Sequence, residues 1–156
     1  MKPNIGISDK NLKESIQSLS VVLADAVVLY TKTRKFHWNV SGNSFMELHK
    51  LFENNYTELE QIIDDTAERI NELGAKTIGT MKEFLALTNL EENPNVYPNQ
   101  KEMINELLSD YEKIIVVIRD FVAKLDSSND YGTIDYLTSV LEQNEKTAWI
   151  LRRYLS

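Results

Sequence analysis

Residues 9–40 read DKNLKESIQSLSVVLADAVVLYTKTRKFHWNV and contain neither glycine nor proline. Apolar side chains recur in this stretch at steps of three and four residues, at Leu12, Ile16, Leu19, Leu23, Ala26, Val27 and Tyr30. This spacing is typical of one face of an α-helix, because about 3.6 residues complete a turn. Ser8 or Asp9 is suited to cap the beginning of this helix, and Gly42 follows its end as a terminating glycine.

The same periodicity predicts three further long helices and one short helix. Two of the long helices are predicted over residues 44–73 and 99–125, and the last follows the polar connection 126–130. Its apolar positions are Ile134, Leu137, Leu141, Ala148, Trp149 and Leu151. Ser44 and Glu47 form the pattern of a capping box at the start of the second helix, and Thr80 and Glu83 form another at the start of the short helix. The short helix has room for only two or three turns before Asn89 and the proline that follows it.

The connection between the second and third long helices predicts the topology. It spans about twenty-five residues, whereas antiparallel neighbours need loops of only ~2–8 residues. We therefore predict an all-α, ferritin-like four-helix bundle, with the short extra helix in a long crossover between helices 2 and 3. The whole chain, residues 1–156, is predicted to form one domain with a short N-terminal extension over residues 1–8. Only five glycines and three prolines are present, which excludes a sandwich or barrel of short strands.

Composition excludes several classes of protein. The chain has no cysteine, so it has no disulfide, thiolate zinc site or thiol nucleophile. Its first residues, MKPNIGISDK, lack the apolar region of a secretory signal, and no apolar run approaches the ~20 residues that span a membrane. We therefore predict a cytoplasmic protein. The net charge of −7 argues against nucleic acid as an obligatory partner.

The candidate metal ligands lie at the end of the first helix and along the second. His37 and His49 are the two histidines of the chain. His49 and Glu53 are four residues apart and share a helix face, as do Asp64 and Glu68, and all four fall within an arc of about 100°. The alternative interpretation is a solvated helix face with ordinary charges, because one imidazole and one carboxylate at this spacing often occur by chance.

The distance along the helix rules out one site built by one helix. His49 and Asp64 are fifteen residues apart, or ~22 Å at 1.5 Å per residue. Glu-x-x-His pairs, which supply the ligands of ordinary di-iron bundles, are also absent, since Arg34 and Met46 stand three residues before the histidines. Antiparallel pairing of this helix with its copy in a second subunit, crossing near residues 58–59, would bring His49 and Glu53 to the other subunit's acidic pair. Each dimer would then hold two symmetric sites.

Four strings in the sequence together resemble the Dps family of mini-ferritins. They are KFHWNVSG at 35–42, FMELHKLFE at 45–53, DDTAERI at 64–70 and EKTAW at 145–149. The resemblance covers nearly the whole chain and implies a hollow dodecamer that oxidises Fe(II), usually with hydrogen peroxide, and stores the ferric product. It also implies an intersubunit ferroxidase site, with catalytic metal ligands His37, His49 and Glu53 from one subunit and Asp64 and Glu68 from its mate. Several members of the family have Asp at the position of Glu53.

The chemistry of these ligands suits iron. Imidazole and carboxylate ligands with an open coordination position are typical of iron sites that admit an oxidant, and the absence of thiolates makes a structural zinc site less suitable. Two Fe(II) ions can give two electrons to one peroxide, so release of hydroxyl radical is suppressed. Each histidine should bind through one nitrogen while an acceptor orients the other N–H, and the sequence does not identify that acceptor.

Two acidic residues near the fourth long helix are weaker candidates. The resemblance implies that Asp130 and Asp135 line a pore through which iron enters. An N-cap role for Asp130 explains that residue equally well.

Three other side chains are assigned structural roles. Trp38, beside His37, is predicted to pack at the helix end, with electron transfer from the site as the alternative. Trp149 is predicted to lie on a packed face, in the core or at an interface. Arg69 is predicted to pair with a nearby carboxylate such as Asp65.

Direct DNA binding is not expected. The first fourteen residues carry a net charge of only +1, and twelve copies of the chain would carry about −84, which repels phosphate. Protection of DNA would then be indirect, through removal of iron and peroxide. The alternative function is a nucleoid-associated or helical interaction protein whose histidines are only structural.

Overall fold

Four long helices and one short helix form the fold. The computed structural model describes residues 3–156, so Lys2 of the predicted N-terminal extension lies outside the described residues. The helices are α1 (Asp9–Asn39), α2 (Phe45–Glu72), α3 (Met81–Leu87), α4 (Gln100–Leu125) and α5 (Tyr131–Leu155). No strand occurs among residues 3–156. The all-α class is confirmed, the ends of α1, α2 and α4 lie within one residue of the predicted positions, and α5 follows the predicted polar connection.

The bundle consists of two helical hairpins packed against each other. The α1 helix packs mainly against α2, and α4 packs mainly against α5, while α1 also contacts α3 and α4. One contiguous apolar core fills the space between the helices; its fully buried members include Leu19, Phe36, Phe52, Leu107, Ile118 and Leu137. The long crossover, residues 73–99, connects the two hairpins and contains α3.

A buried carboxylate anchors the crossover to α1. Asp25 is 0% exposed. It accepts hydrogen bonds from Thr88 Oγ1 at 2.7 Å, from Asn89 N at 2.6 Å and from Asn89 Nδ2 at 3.0 Å. A charge can be buried at acceptable cost only when such donors replace water. Asp25 therefore fixes the end of α3 against the middle of α1.

A second buried cluster joins α1 to α4, close to the candidate metal ligands. The Lys32 ammonium lies 2.6 Å from Asp110 Oδ2 and 3.0 Å from Glu106 Oε1. Burial alone would lower the pKa of Lys32, but the hydrogen bonds and negative charges of Asp110 and Glu106 outweigh burial and raise it. Lys32 therefore stays charged and holds the last turns of α1, which carry His37, against α4.

Two of the predicted helix starts are confirmed, and one is wrong. Thr80 and Glu83 form the expected capping box at α3, and Ser8 accepts from Asn11 N at the start of α1. Ser44 makes no side-chain capping bond, since its backbone at φ −99° and ψ 26° belongs to the turn that precedes α2 rather than to an extended cap. Glu47 instead accepts a hydrogen bond from the Tyr154 hydroxyl at 2.8 Å.

Trp149 is more exposed than the sequence predicted. Trp149 is 52% exposed, so the prediction of a core position is wrong for the single chain, and the interface position stays a prediction. Within residues 3–156, no helix is both long enough and apolar enough to cross a membrane.

Candidate metal centre

The two histidines meet where α1 turns back into α2. His37 lies in the last turn of α1 and His49 in the second turn of α2. Gly42, at φ +112°, allows the sharp reversal between them, because side chains disfavour this conformation. The two imidazole rings stack with their centroids 3.7 Å apart and their planes 19° from parallel. The hairpin therefore pairs two residues that are twelve positions apart in sequence.

Reciprocal hydrogen bonds fix both rings. Nδ1 of His37 lies 2.8 Å from the backbone carbonyl oxygen of His49, and Nδ1 of His49 lies 2.8 Å from the carbonyl oxygen of His37. A carbonyl oxygen can only accept, so each Nδ1 carries a proton and donates it. In the neutral form of each ring the lone pair is therefore on Nε2, which makes Nε2 the ring nitrogen available to a metal. These carbonyls are the orienting acceptors that the sequence could not identify.

Aromatic side chains hold the imidazoles from two sides. The edge of the Tyr56 ring approaches His37 with centroids 5.2 Å apart, and the Phe45 ring lies 5.1 Å from His49 at a tilt of 33°. Both histidines are half-buried. Each imidazole therefore packs against one aromatic side chain as well as against the other imidazole, and both remain partly exposed.

Glu53 lies one helical turn beyond His49. Lys50 Nζ contacts Glu53 Oε2 at 2.8 Å, and the carboxylate is 40% exposed. The hydrogen bond from Lys50 and the positive charge of that residue lower the pKa of Glu53 below its ordinary value, with a smaller contribution from the two histidines. The carboxylate is therefore ionised over a wider pH range, as a metal ligand needs to be.

Asp64 and Glu68 are separate from this group in the single chain. Both are exposed on α2. Neither has a hydrogen-bond or ion-pair partner within residues 3–156. The ~22 Å between His49 and Asp64 along the helix is too long for one ion. No group of three or more His, Asp or Glu side chains in the described part of the chain is close enough to hold a metal. One chain thus presents two separated sets of candidate ligands.

An aromatic and cationic cluster adjoins the histidines and was missed by the sequence analysis. The Arg34 guanidinium lies 4.6 Å from the centroid of the Tyr56 ring, 5.2 Å from that of Trp38 and 5.5 Å from that of Tyr30. Its Nη1 also donates to the Tyr30 hydroxyl at 2.7 Å. Trp38 thus packs on Arg34 at the helix end. The four-residue spacing of Tyr30, Arg34 and Trp38 was the available signal, but the contact with Tyr56 on α2 had none.

The two candidate pore residues differ in their surroundings. Asp130 is 1% exposed, and its Oδ1 accepts from Thr133 N at 3.1 Å and from Arg69 Nη2 at 3.0 Å. Burial alone would raise the pKa of Asp130, but the nearby hydroxyl of Ser15, hydrogen bonds from Thr133 and the charge of Arg69 outweigh it and lower the pKa. The N-cap role of Asp130 is confirmed. Asp135 is exposed, and the pore role of both residues stays a prediction.

The prediction that Arg69 pairs with a nearby carboxylate is confirmed, but Asp65, the residue given as the example, is not its partner. Arg69 pairs with Glu72 at 2.8 Å, besides Asp130, and donates to Thr133 Oγ1 at 3.1 Å. Asp65 accepts instead from Gln61 at 2.8 Å. Arg69 turns toward α5 because a buried carboxylate there needs a charged donor, whereas Asp65 is exposed to water.

Comparison with known proteins identifies the family of the chain. A model of the ferritin-like domain matches residues 16–156. A low temperature-induced protein of Nostoc sp. is 40% identical over 153 residues, which cover 97% of this chain and 86% of that protein. DNA protection during starvation protein 2 of Bacillus anthracis is 38% identical over 145 residues, which cover 92% of this chain and 98% of that protein.

A solved structure matches along the full length. The crystal structure of the Dps protein from Vibrio cholerae O1, described as a member of a broad superfamily of ferritin-like diiron-carboxylate proteins, has a TM-score of 0.93 to this chain. The two are 28% identical, and the match covers 100% of this chain and 98% of that one. The chain therefore belongs to the Dps family of ferritin-like proteins.

Proposed function

We propose that this protein is a ferroxidase that takes up Fe(II), oxidises it with hydrogen peroxide and stores the ferric product inside a cage of twelve identical subunits. Each oxidation site lies between two subunits. Its ligands are His37, His49 and Glu53 of one chain and Asp64 and Glu68 of the other. Iron is the substrate and cargo, and protection of DNA follows from the removal of iron and peroxide.

The stacked histidine pair is the observation that carries the proposal. A merely structural histidine needs one satisfied ring nitrogen and a packed ring. Here two stacked imidazoles are both fixed through Nδ1 by backbone carbonyls, which leaves Nε2 of each half-buried ring available to a metal. Paired Nε2 ligands beside an ionised carboxylate form half of a metal site.

The free carboxylates of α2 supply the other half. Asp64 and Glu68 are exposed, lie one turn apart and are not engaged by other side chains of residues 3–156. If two copies of α2 run antiparallel and cross near residues 58–59, the acidic pair of each chain reaches the histidines of the other. A two-fold axis generates two such sites per dimer.

The reaction balances without a radical product. Two Fe(II) ions each give one electron to one hydrogen peroxide. The O–O bond breaks, and two added protons complete two molecules of water, leaving two Fe(III). The carboxylates neutralise the charge that grows on oxidation, and the partly buried histidine side strengthens these interactions relative to bulk water.

A stopped-flow assay of the metal-free protein tests the activity. Fe(II) and peroxide should give rapid ferric absorbance, and a spin trap should detect no hydroxyl-radical adduct. His49→Ala and Asp64→Ala should each lower the rate at least about 100-fold, since each removes a ligand to the reacting iron. Asp65→Ala, which changes the neighbouring exposed acid, should keep the wild-type rate. Unchanged rates in both ligand variants would refute the site.

Mixed subunits test the location of the site between chains. In a dimer of one His49→Ala chain and one Asp64→Ala chain, one site loses both ligands and the other keeps both. Random reassembly of equal amounts should therefore restore about a quarter of the sites. A site within one chain would recover nothing. Native mass measurement of the same preparations gives the subunit number.

Indirect protection predicts that DNA itself is not bound. The chain carries a net charge of −7, so a cage would repel phosphate over most of its surface. A gel shift with plasmid DNA at low salt should show no retardation, whereas peroxide and iron should cleave the DNA only in the absence of the protein. A salt-sensitive shift would favour a DNA-binding function instead.

A further inference from the structure

We propose that Lys50 weakens metal binding at Glu53 and thereby sets how tightly the site holds iron. This inference rests on the proposed function and concerns one side chain of the same site. Lys50 is the only lysine of α2 and stands between the ligands His49 and Glu53 in the sequence. It acts through Glu53, so it is a positioning residue rather than a ligand.

The contact places a positive charge on the ligand itself. Lys50 Nζ lies 2.8 Å from Glu53 Oε2 and forms the only ion pair of that carboxylate among residues 3–156. The lysine side chain is 66% exposed, so the ammonium remains well solvated. The carboxylate of Glu53 is therefore occupied by a cation before any metal arrives.

Distances then make the ammonium and the metal competitors. Divalent ions such as Zn²⁺ bind carboxylate oxygen at about 2.0–2.2 Å. A metal on Oε2 would consequently stand no more than about 5 Å from Nζ unless the ion pair breaks. Either the bound metal feels this charge or binding must first remove the lysine from Glu53, and both lower the affinity.

The size of the effect follows from the exposure of the pair. A charge of +1 at about 5 Å from a charge of +2 in a water-like dielectric lowers the affinity about 16-fold, and screening at physiological salt reduces the factor to about 4-fold. Oxidation raises the metal charge from +2 to +3 and enlarges the repulsion by half. Lys50 therefore favours departure of the ferric product from this position.

Calorimetric titration of the assembled, metal-free protein with Zn²⁺ tests the inference. Zn²⁺ is not oxidised, so the measurement reports binding separately from activity. Lys50→Gln and Lys50→Met should bind Zn²⁺ more tightly than wild type, by about 16-fold at low salt and about 4-fold at physiological salt. The difference should shrink further in strong salt. Lys50→Arg keeps the charge and should resemble wild type. Lys124→Gln removes an exposed lysine at the far end of α4 and should also resemble it.

The outcomes separate this inference from the proposed function. Unchanged affinity in Lys50→Gln, or equal tightening in Lys50→Arg, overturns the role of the Lys50 charge. If His49→Ala and Asp64→Ala abolish Zn²⁺ binding in the same titration, the proposed site stands even when the Lys50 inference falls. If wild type binds no Zn²⁺, or if these ligand variants bind it normally, both are overturned.

Discussion

The two ends of α2 use charged and polar side chains in opposite ways. The histidine cluster, His37, His49 and Glu53, lies at the beginning of the helix and is half-buried. The aspartate cluster is centred on Asp130 and Arg69 and lies at the end of the helix, where the carboxylate is buried. In the aspartate cluster the chain supplies a charged donor and a backbone donor to the buried carboxylate. In the histidine cluster it satisfies Nδ1 of each ring and supplies no hydrogen-bond partner to Nε2 from residues 3–156.

The degree of burial separates a structural polar cluster from a candidate binding cluster. Burial makes an unpaired charge expensive, so the aspartate cluster contributes to stability through the ion pair and the hydrogen bond that Oδ1 of Asp130 accepts. Partial exposure lets water solvate Nε2 at little cost, which is compatible with the metal-binding role proposed for the histidine cluster. Substitutions at the two clusters should therefore affect different measurements.

The largest expected effect is on the aspartate cluster. Asp130→Ala removes the buried partner of Arg69 and the N-cap of α5, and it should lower the free energy of unfolding by about 3–5 kcal/mol. Urea unfolding followed by far-UV circular dichroism at fixed protein concentration measures this change. Arg119→Ala, which breaks an exposed pair with Glu145, is the matched control and should cost less than about 1 kcal/mol. Equal losses in the two variants would contradict the assigned role of burial.

The second expected effect is a pH dependence of the stability that the charge of Asp130 contributes. Asp130→Asn keeps a capping oxygen but loses the charge, and near neutral pH it should cost about 2 kcal/mol. Because the folded state lowers the pKa of Asp130, the wild-type advantage is present above the unfolded value of about 3.9 and disappears as the pH falls through the lower folded value. Urea unfolding of both proteins between pH 3 and pH 7 should show the two stabilities converging in acid. A constant difference would argue against the charge.

A smaller effect on stability is expected at the histidine cluster. His37→Ala removes one hydrogen bond at a half-buried position and should lower the free energy of unfolding by about 1 kcal/mol, while Zn²⁺ binding is lost. The neighbouring Phe36→Ala opens the core and should cost about 3–5 kcal/mol. Calorimetric titration and urea unfolding on the same samples give both quantities. A His37→Ala loss as large as that of Phe36→Ala would make the histidine structural.

The smallest expected change in the free energy of unfolding is that of Gly132→Ala, because a steric contact with Arg69 and a gain in helix propensity oppose each other. A Cβ added at Gly132 would lie 2.9 Å from Arg69 Nη2, so the guanidinium must shift. Alanine in a helix is also favoured over glycine by about 1 kcal/mol. The net change for Gly132→Ala should remain within about 1 kcal/mol in urea unfolding. A loss well above that would show that Arg69 has no room to move.

Most of the fold could be predicted because it depends on local patterns. The spacing of apolar residues and the positions of glycine and proline predicted the four long helices and the crossover. The Thr80–Glu83 capping box could be predicted because it needs only residues close in sequence. The predicted capping box at Ser44 is wrong because the conformation of the turn that contains Ser44, rather than the residue type, decides whether a cap forms. Of the two carboxylates that pair with Arg69, Glu72 is three residues away and lies within reach of local spacing, whereas Asp130 on α5 is 61 residues away, which no local spacing reveals.

The candidate site could be predicted in composition but not in geometry. Residue types and helix faces identified the five proposed ligands, and those assignments remain predictions until metal binding is measured. The carbonyls that orient His37 and His49 belong to each other's backbone, and they exist only once the hairpin closes. The contact of Lys50 with Glu53 has the ordinary i,i+3 spacing, yet the consequence depends on Glu53 being a ligand.

The long separation of the two ligand sets along α2 gives the proposed cage a built-in safeguard. A subunit that has folded but not yet assembled would carry half-sites alone and would generate no ferric iron in the surrounding solution. Oxidation would begin only when two chains meet, at the same step that starts to enclose the space for the product. Completion of the reaction centre and construction of its container would thus be one event.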